Sequence, residues 1–168
     1  TNAGLGRATS DLNGELFTNA TERIVSEYRR KLPLYESATK EAERILRESL
    51  KNQLVHKVES RVKKEDSLRK KLKRGSRRIN DVCGLRVITY FSDEIERIEK
   101  IIRPEFNIDL LPVEDTSDRL SDNEFGYLSN HYSARFAAKR RALAEYKKKG
   151  YGTVKFELQI RSILQHAW

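Results

Sequence analysis

Val154-Lys155-Phe156-Glu157-Leu158-Gln159-Ile160 alternates apolar and polar side chains without a break, and Arg161-Ser162 follows. Successive side chains of a strand point to opposite faces. Val154, Phe156, Leu158 and Ile160 therefore share one face, and Glu157 and Gln159 share the other, with Arg161 just beyond. A second stretch, Val82 to Phe91, is almost continuously apolar and β-branched, the pattern of a buried central strand. Arg86 interrupts it. A guanidinium inside such a run must reach a carboxylate or a bound anion.

Other elements lie outward from these two strands. Phe17, Ala20, Ile24 and Tyr28 predict a helix that Pro33 ends. Ala38, Ala42, Leu46, Leu50 and Leu54 predict a second amphipathic helix of about five turns. Val58 to Lys63 reads as extended. Ser67 can cap a short basic helix that closes near Gly75. Ser92 and Asp93 can cap a helix with Ile95, Ile98, Ile101 and Ile102 inward, stopped by Pro104. Phe106 to Val113 and Tyr132 to Ala138 read as strands around a polar loop over 114–126. Residues 139–150 form a basic helix or loop closed by Gly150, and a last helix starts near Ser162. Residues 1–15, rich in Gly, Asn, Ser and Thr, read as a flexible leader. Residues 16–168 then form one α/β domain whose C-terminal helix is cut short at Trp168.

The composition is that of a folded soluble chain: 38% hydrophobic and 35% charged. No apolar run approaches the roughly 18 residues of a membrane span, and Cys83 is the only cysteine, so no intrachain disulfide forms. No membrane partner and a cytoplasmic location are the expectations. Residues 57–78 hold eleven basic side chains against three acidic, a net +8 of the chain's +9. Such a window suits polyphosphate, nucleic acid or an anionic membrane, and equally a solvated helix face.

Several residues carry possible chemistry. Glu157, between an amide and a guanidinium, suits metal binding or proton abstraction, although that face could simply be wet. Asp81 stands at the mouth of the apolar strand, where an aspartate can also be a turn residue. If the two strands are neighbours, Asp81 and Glu157 could hold one Mg²⁺, which favours one or two carboxylates plus waters and phosphates. Gly126 allows a turn that presents Tyr127, whose ring could stack on a base or merely pack.

In order along the chain stand Arg61-Val62-Lys63, Ser67, Lys71, Asp81-Val82-Cys83-Gly84-Leu85-Arg86-Val87, Gly126-Tyr127-Leu128-Ser129-Asn130-His131, Phe156-Glu157-Leu158-Gln159-Ile160-Arg161-Ser162 and His166-Ala167-Trp168. This set resembles the RelA/SpoT synthetase family over about residues 40–168. The resemblance implies an α/β (α+β) fold, a mixed β-sheet flanked by helices and related to nucleotidyltransferases. It implies an ATP-dependent pyrophosphokinase that moves pyrophosphate from ATP to the 3′-hydroxyl of GDP or GTP, making (p)ppGpp with Mg²⁺ as cofactor. Arg61, Lys63, Ser67, Lys71 and Arg86 would then grip ATP. Asp81 and Glu157 would hold the metal, with Glu157 activating the hydroxyl. Tyr127, Ser129, His131, Gln159 and Arg161 would contact the acceptor and phosphates.

No histidine is followed by aspartate, so the hydrolase half of long family members has no counterpart here. Two positions depart from the family pattern. Leu128 stands where Arg or Lys is usual, and Asp122, Asn123 and Glu124 stand where a basic residue is usual. Both remove positive charge where the 5′-phosphates of a free acceptor would lie. A tRNA 3′ end is therefore a rival acceptor, and an inert nucleic-acid-binding module a rival of another class. Family members normally continue through more C-terminal helix, which often supports homo-oligomers.

Overall fold

The computed structural model describes residues 5–75, 81–111 and 130–167, with side chains from residue 19 onward, Gln165 apart. Its elements are α1 (Leu5–Ser49), β1 (Val55–Val62), α2 (Glu65–Lys73), β2 (Cys83–Thr89), α3 (Ile95–Ile102), β3 (Phe106–Leu110), β4 (Asn130–Phe136), α4 (Ala138–Arg141), α5 (Ala144–Lys149), β5 (Phe156–Ser162) and α6 (Ile163–Ala167). Single 3₁₀ turns at Ser92–Glu94 and Tyr151–Thr153 lead into α3 and away from α5. The chain divides into two compact units. One comprises Thr1–Pro33 and Lys63–Ile79, the other Leu34–Val62 and Asn80–Trp168.

The larger unit is built on a mixed five-stranded sheet in the order β1-β2-β5-β4-β3. Only β2 and β5 run parallel; the other pairs are antiparallel. The alternation from Phe156 to Ser162 is realised: Phe156, Leu158, Ile160 and Ser162 are buried, and Glu157, Gln159 and Arg161 are half-buried. Cys83, Leu85 and Val87 of β2, Tyr132, Ala134 and Phe136 of β4, and Phe106 and Ile108 of β3 continue the buried set. Phe136 anchors an aromatic cluster, edge-on to Phe156 at 5.2 Å and Tyr146 at 5.2 Å, and stacked near Phe106 at 5.7 Å. Such pairs add about 0.5–1.5 kcal/mol each beyond the area they bury. Ile95, Ile98 and Ile102 bury one face of α3, while Ile101 is half-buried. Gly150 ends α5 at φ 74°, a left-handed conformation that only glycine adopts without strain.

In the smaller unit, Val25, Tyr28, Leu68 and Leu72 are buried. The Tyr28 hydroxyl donates to the Lys63 carbonyl. Arg29 forks onto Glu65 at 2.6 and 2.7 Å, and Arg69 joins Glu65 to Glu22. The Glu65 carboxyl is held down at about 2 by these two guanidiniums, Arg29 first.

Four expectations change. The two helices expected around Pro33 are one, α1, with Pro33 inside it. An interior proline loses one hydrogen bond and crowds the carbonyl four residues back, costing roughly 3 kcal/mol. Val25 and Tyr28 before it, and Ala38, Ala42, Ile45 and Leu46 after it, are buried. At about 1.5–3 kcal/mol per large side chain, that burial outweighs the defect. The same helix takes in most of the stretch read as a leader. Ser67 is not a cap: Lys64 occupies that position, and Glu65 and Asp66 in the first turn favour the helix N-terminus by charge. The third strand ends at Leu110, short of Val113. The 114–126 loop lies outside the described residues.

Leu158, on the central β5 and fully buried, tests the core. Leu158→Ala should cost about 2–5 kcal/mol in denaturant unfolding. A loss no larger than that of an exposed-site variant such as Leu54→Ala would show that this face is not the core.

Candidate active site

The face of the sheet opposite the core is polar, and strand register arranges it in rows. Glu59 of β1 pairs with Arg86 of β2, Arg86 with Gln159 of β5, and Gln159 with His131 of β4. One step along, Arg61 pairs with Gly84, Gly84 with Glu157, and Glu157 with Ser133. A cavity of about 230 Å³ opens here, lined by Glu59, Ser60, Arg61, Asp81, Gly84, Leu85, Arg86, Glu157 and Gln159. Five residues singled out in the sequence thus meet in one place: Arg61, Asp81, Arg86, Glu157 and Gln159.

Two more reach it through hydrogen bonds. His131 Nδ1 stands 3.2 Å from Glu157 Oε1, and Arg161 donates to Gln159 Oε1. Lys63, Ser67 and Lys71 belong to the other unit. Tyr127, Leu128 and Ser129 lie outside the described residues. The basic window is divided between the two units. Lys57 pairs with Glu59 at 2.6 Å, and Arg69 is taken up by Glu22 and Glu65.

Glu59, Ser60 and Gly84 line the cavity without having been singled out. Glu59 was within reach of the sequence, because it lies two residues before Arg61 on an extended segment and so on the same face. Gly84 has a steric role. A Cβ there would sit 3.3 Å from Arg61 Cγ and 3.4 Å from its Nε, so the bare backbone leaves the Arg61 side chain its course across β2.

The guanidiniums and Glu157 are held by different partner atoms. Arg86 contacts Glu59 Oε2 at 3.5 Å and Gln159 Oε1 at 3.3 Å. Arg161 is half-buried, and its Nε has no hydrogen-bond partner among the described residues. Burial pulls its guanidinium pKa down, and the charges of Arg86 and Arg61 pull the same way while Glu59 opposes. An arginine does not release its proton in response, so the strain favours an anion arriving.

Glu157 is held below the ordinary carboxylate value of 4.5. The hydrogen bond from His131 does most of this and Gln159 adds to it, against burial and the charge of Asp81. Both bonds fall on Oε1, from His131 at 3.2 Å and from Gln159 Nε2 at 2.9 Å. Oε2 has no partner among the described residues. A divalent ion such as Mg²⁺ fits Asp81 and Glu157: two hard carboxylates line one cavity, and one of them keeps an oxygen open. Among the described residues there is no cluster of three or more His, Cys, Asp or Glu arranged for a metal, which Mg²⁺ does not require.

Residues 60–168 match the family described as the region found in RelA / SpoT proteins. The chain belongs to that family. No curated protein matches the sequence. Among solved structures, the small alarmone synthetase 1 from Bacillus subtilis bound to its product pppGpp superposes with a TM-score of 0.62 at 20% identity, covering 85% of this chain and 76% of that one. The small alarmone synthetase 2 from Bacillus subtilis gives 0.58 at 23% identity, covering 84% and 76%. A GTP pyrophosphokinase family protein from Streptococcus pneumoniae gives 0.57 at 22%, covering 84% and 72%. At these identities the likeness carries the fold, a mixed five-stranded sheet with flanking helices. Among the described residues, no helix is long and apolar enough to cross a membrane.

The geometry of the cavity generates two predictions. Gly84→Ala should push the Arg61 side chain aside and weaken binding of inorganic triphosphate, giving up part of the roughly 1–3 kcal/mol lost in Arg61→Ala. Calorimetry showing unchanged binding in Gly84→Ala would detach Arg61 from Gly84. The second concerns pH. Glu157 has a lower pKa folded than unfolded, so the stability it contributes is present above 4.5 and is lost as pH falls through the folded value. His131→Ala should therefore destabilise the protein near neutral pH. Its deficit should shrink as pH falls through the folded Glu157 value. A deficit independent of pH would assign His131 a packing role only.

Proposed function

We infer that the chain transfers the β,γ-pyrophosphoryl group of ATP to the 3′-hydroxyl of a guanosine nucleotide, GDP or GTP, making a (p)ppGpp alarmone. One observation carries the reading. Guanidiniums and carboxylates face one cavity on an otherwise ordinary sheet, and the guanidinium side is short of anions. A polyphosphate and its cation supply the missing partners.

Arg61, Arg86 and Arg161 would bind the phosphate oxygens by charge-assisted hydrogen bonds and neutralise charge during transfer. Lys63, Ser67 and Lys71 are the further ATP-binding positions that the family resemblance implies. Asp81 and Glu157 would hold Mg²⁺, which when bound lowers the charge on the triphosphate and orients it. The acceptor oxygen attacks the β-phosphorus, the bond from that phosphorus to the α,β-bridging oxygen breaks, and AMP leaves. The hydroxyl proton goes to the Glu157 carboxylate and then to solvent. Glu157 is ionised at neutral pH and accepts this proton only as the new bond forms. Tyr127 would stack on the acceptor base, with Ser129 and His131 beside it.

An inert binding module has no use for Asp81 and Glu157 in a cavity with arginines. The tRNA reading retains the chemistry and rests on Leu128, which leaves the 5′-phosphates of a free nucleotide one cation short. The guanosine nucleotide is the reading adopted here.

Asp81→Asn and Glu157→Gln should each lower transfer on the order of 10²-fold or more, with folding retained. The assay follows label from ATP into GDP, GTP or bulk tRNA in the presence of Mg²⁺. Near-normal turnover in either variant would sink the metal site. Labelling of tRNA alone would replace the acceptor.

A further inference from the structure

The Gln159 side chain bonds to both kinds of charge at the cavity. Its Oε1 accepts from Arg86 Nε at 3.3 Å and from Arg161, while its Nε2 donates to Glu157 Oε1 at 2.9 Å. The amide orientation is forced. A guanidinium can only donate and an ionised carboxylate can only accept, so the oxygen must face the arginines and the nitrogen the glutamate. No other neutral side chain of that length offers an acceptor and a donor at its tip.

Register adds the reason such a group is needed. Arg86 lies directly across from Gln159, and Glu157 directly across from Gly84. Arg86 and Glu157 are thus diagonal neighbours on one face, a separation that long side chains span. Left alone, they would form a direct ion pair. The cation would be lost to phosphate and the carboxylate to everything else. Gln159 fills the space between them. Glu59, on the opposite side of Arg86 at 3.5 Å, holds it from the other direction.

We propose that Gln159 is a positioning residue that keeps Arg86 and Arg161 apart from Glu157, so that the guanidiniums stay available to phosphate and Glu157 presents Oε2 to the cavity. Its effect on turnover rests on the function proposed above; its effect on side-chain geometry does not.

Two variants test it. Gln159→Met keeps the length and removes all three hydrogen bonds. Its crystal structure should show the Glu157 carboxylate turned into a direct ion pair with Arg86. Gln159→Glu keeps the acceptor and adds a charge that competes with phosphate for Arg86 and Arg161. It should raise the ATP KM in the transfer assay and weaken calorimetric binding of AMPCPP by about tenfold, the equivalent of roughly 1.4 kcal/mol. Gln159→Met should instead lower kcat on the order of 10²-fold through the misplaced carboxylate. If Glu157 in Gln159→Met keeps its His131 contact and stays clear of Arg86, the inference fails whatever the activity. If both variants change only the acceptor KM, Gln159 touches the acceptor and the inference fails again. A wild type without transfer activity whose Gln159→Met structure shows the new ion pair would refute the function and uphold the inference.

Discussion

The parallel pairing of β2 with β5 is the constraint on which the site depends. It sets Gly84 against Glu157 and Arg86 against Gln159. Side chains alternate with a period of two, so a slip of one residue would turn Arg86, or else Glu157 and Gln159, into the core. The buried partners on both strands forbid that slip. Cys83, Leu85 and Val87 on β2, and Phe156, Leu158 and Ile160 on β5, are all almost fully enclosed. The core therefore specifies the chemistry on the opposite face without touching it. The antiparallel neighbours extend the same register outward, bringing Glu59 and Arg61 from one side and His131 from the other.

This constraint also accounts for which parts were legible in the sequence. The alternation from Val154 to Ile160 states both faces of β5, so Glu157, Gln159 and Arg161 could be placed together from spacing alone. The apolar run around Arg86 marks a central strand and an arginine with a task. Their mutual register is a long-range fact, and no local pattern contains it. Asp81 and Glu157 could be proposed as partners only on condition that the strands were neighbours. The contacts of Glu59 with Arg86 and of His131 with Glu157 needed the strand order itself. Local rules misled at Pro33, where burial on both sides overrode a strong helix breaker, and at Ser67, a good capping residue that sits inside the helix. The grouping of Lys63, Ser67 and Lys71 with Arg61 rested on resemblance. Tyr127 and Ser129 still rest on it, because both fall outside the described residues.

The charges of the cavity nearly cancel. Glu59, Asp81 and Glu157 stand against Arg61, Arg86 and the adjoining Arg161. Strong attraction for a bare anion or a bare cation is thus not what the site offers. It offers separation of Glu157 from the guanidiniums, with a neutral amide at the junction. A bare polyphosphate would gain from the guanidiniums but meet repulsion from the carboxylates. A lone divalent ion would meet the reverse. A ligand that carries both charges in the matching order, a polyphosphate with its metal, satisfies both sides at once. Complementarity of this kind discriminates by what it repels as much as by what it attracts. The magnesium-nucleotide substrate proposed for this chain is such a ligand, which is why a cavity with little net charge can still select for it.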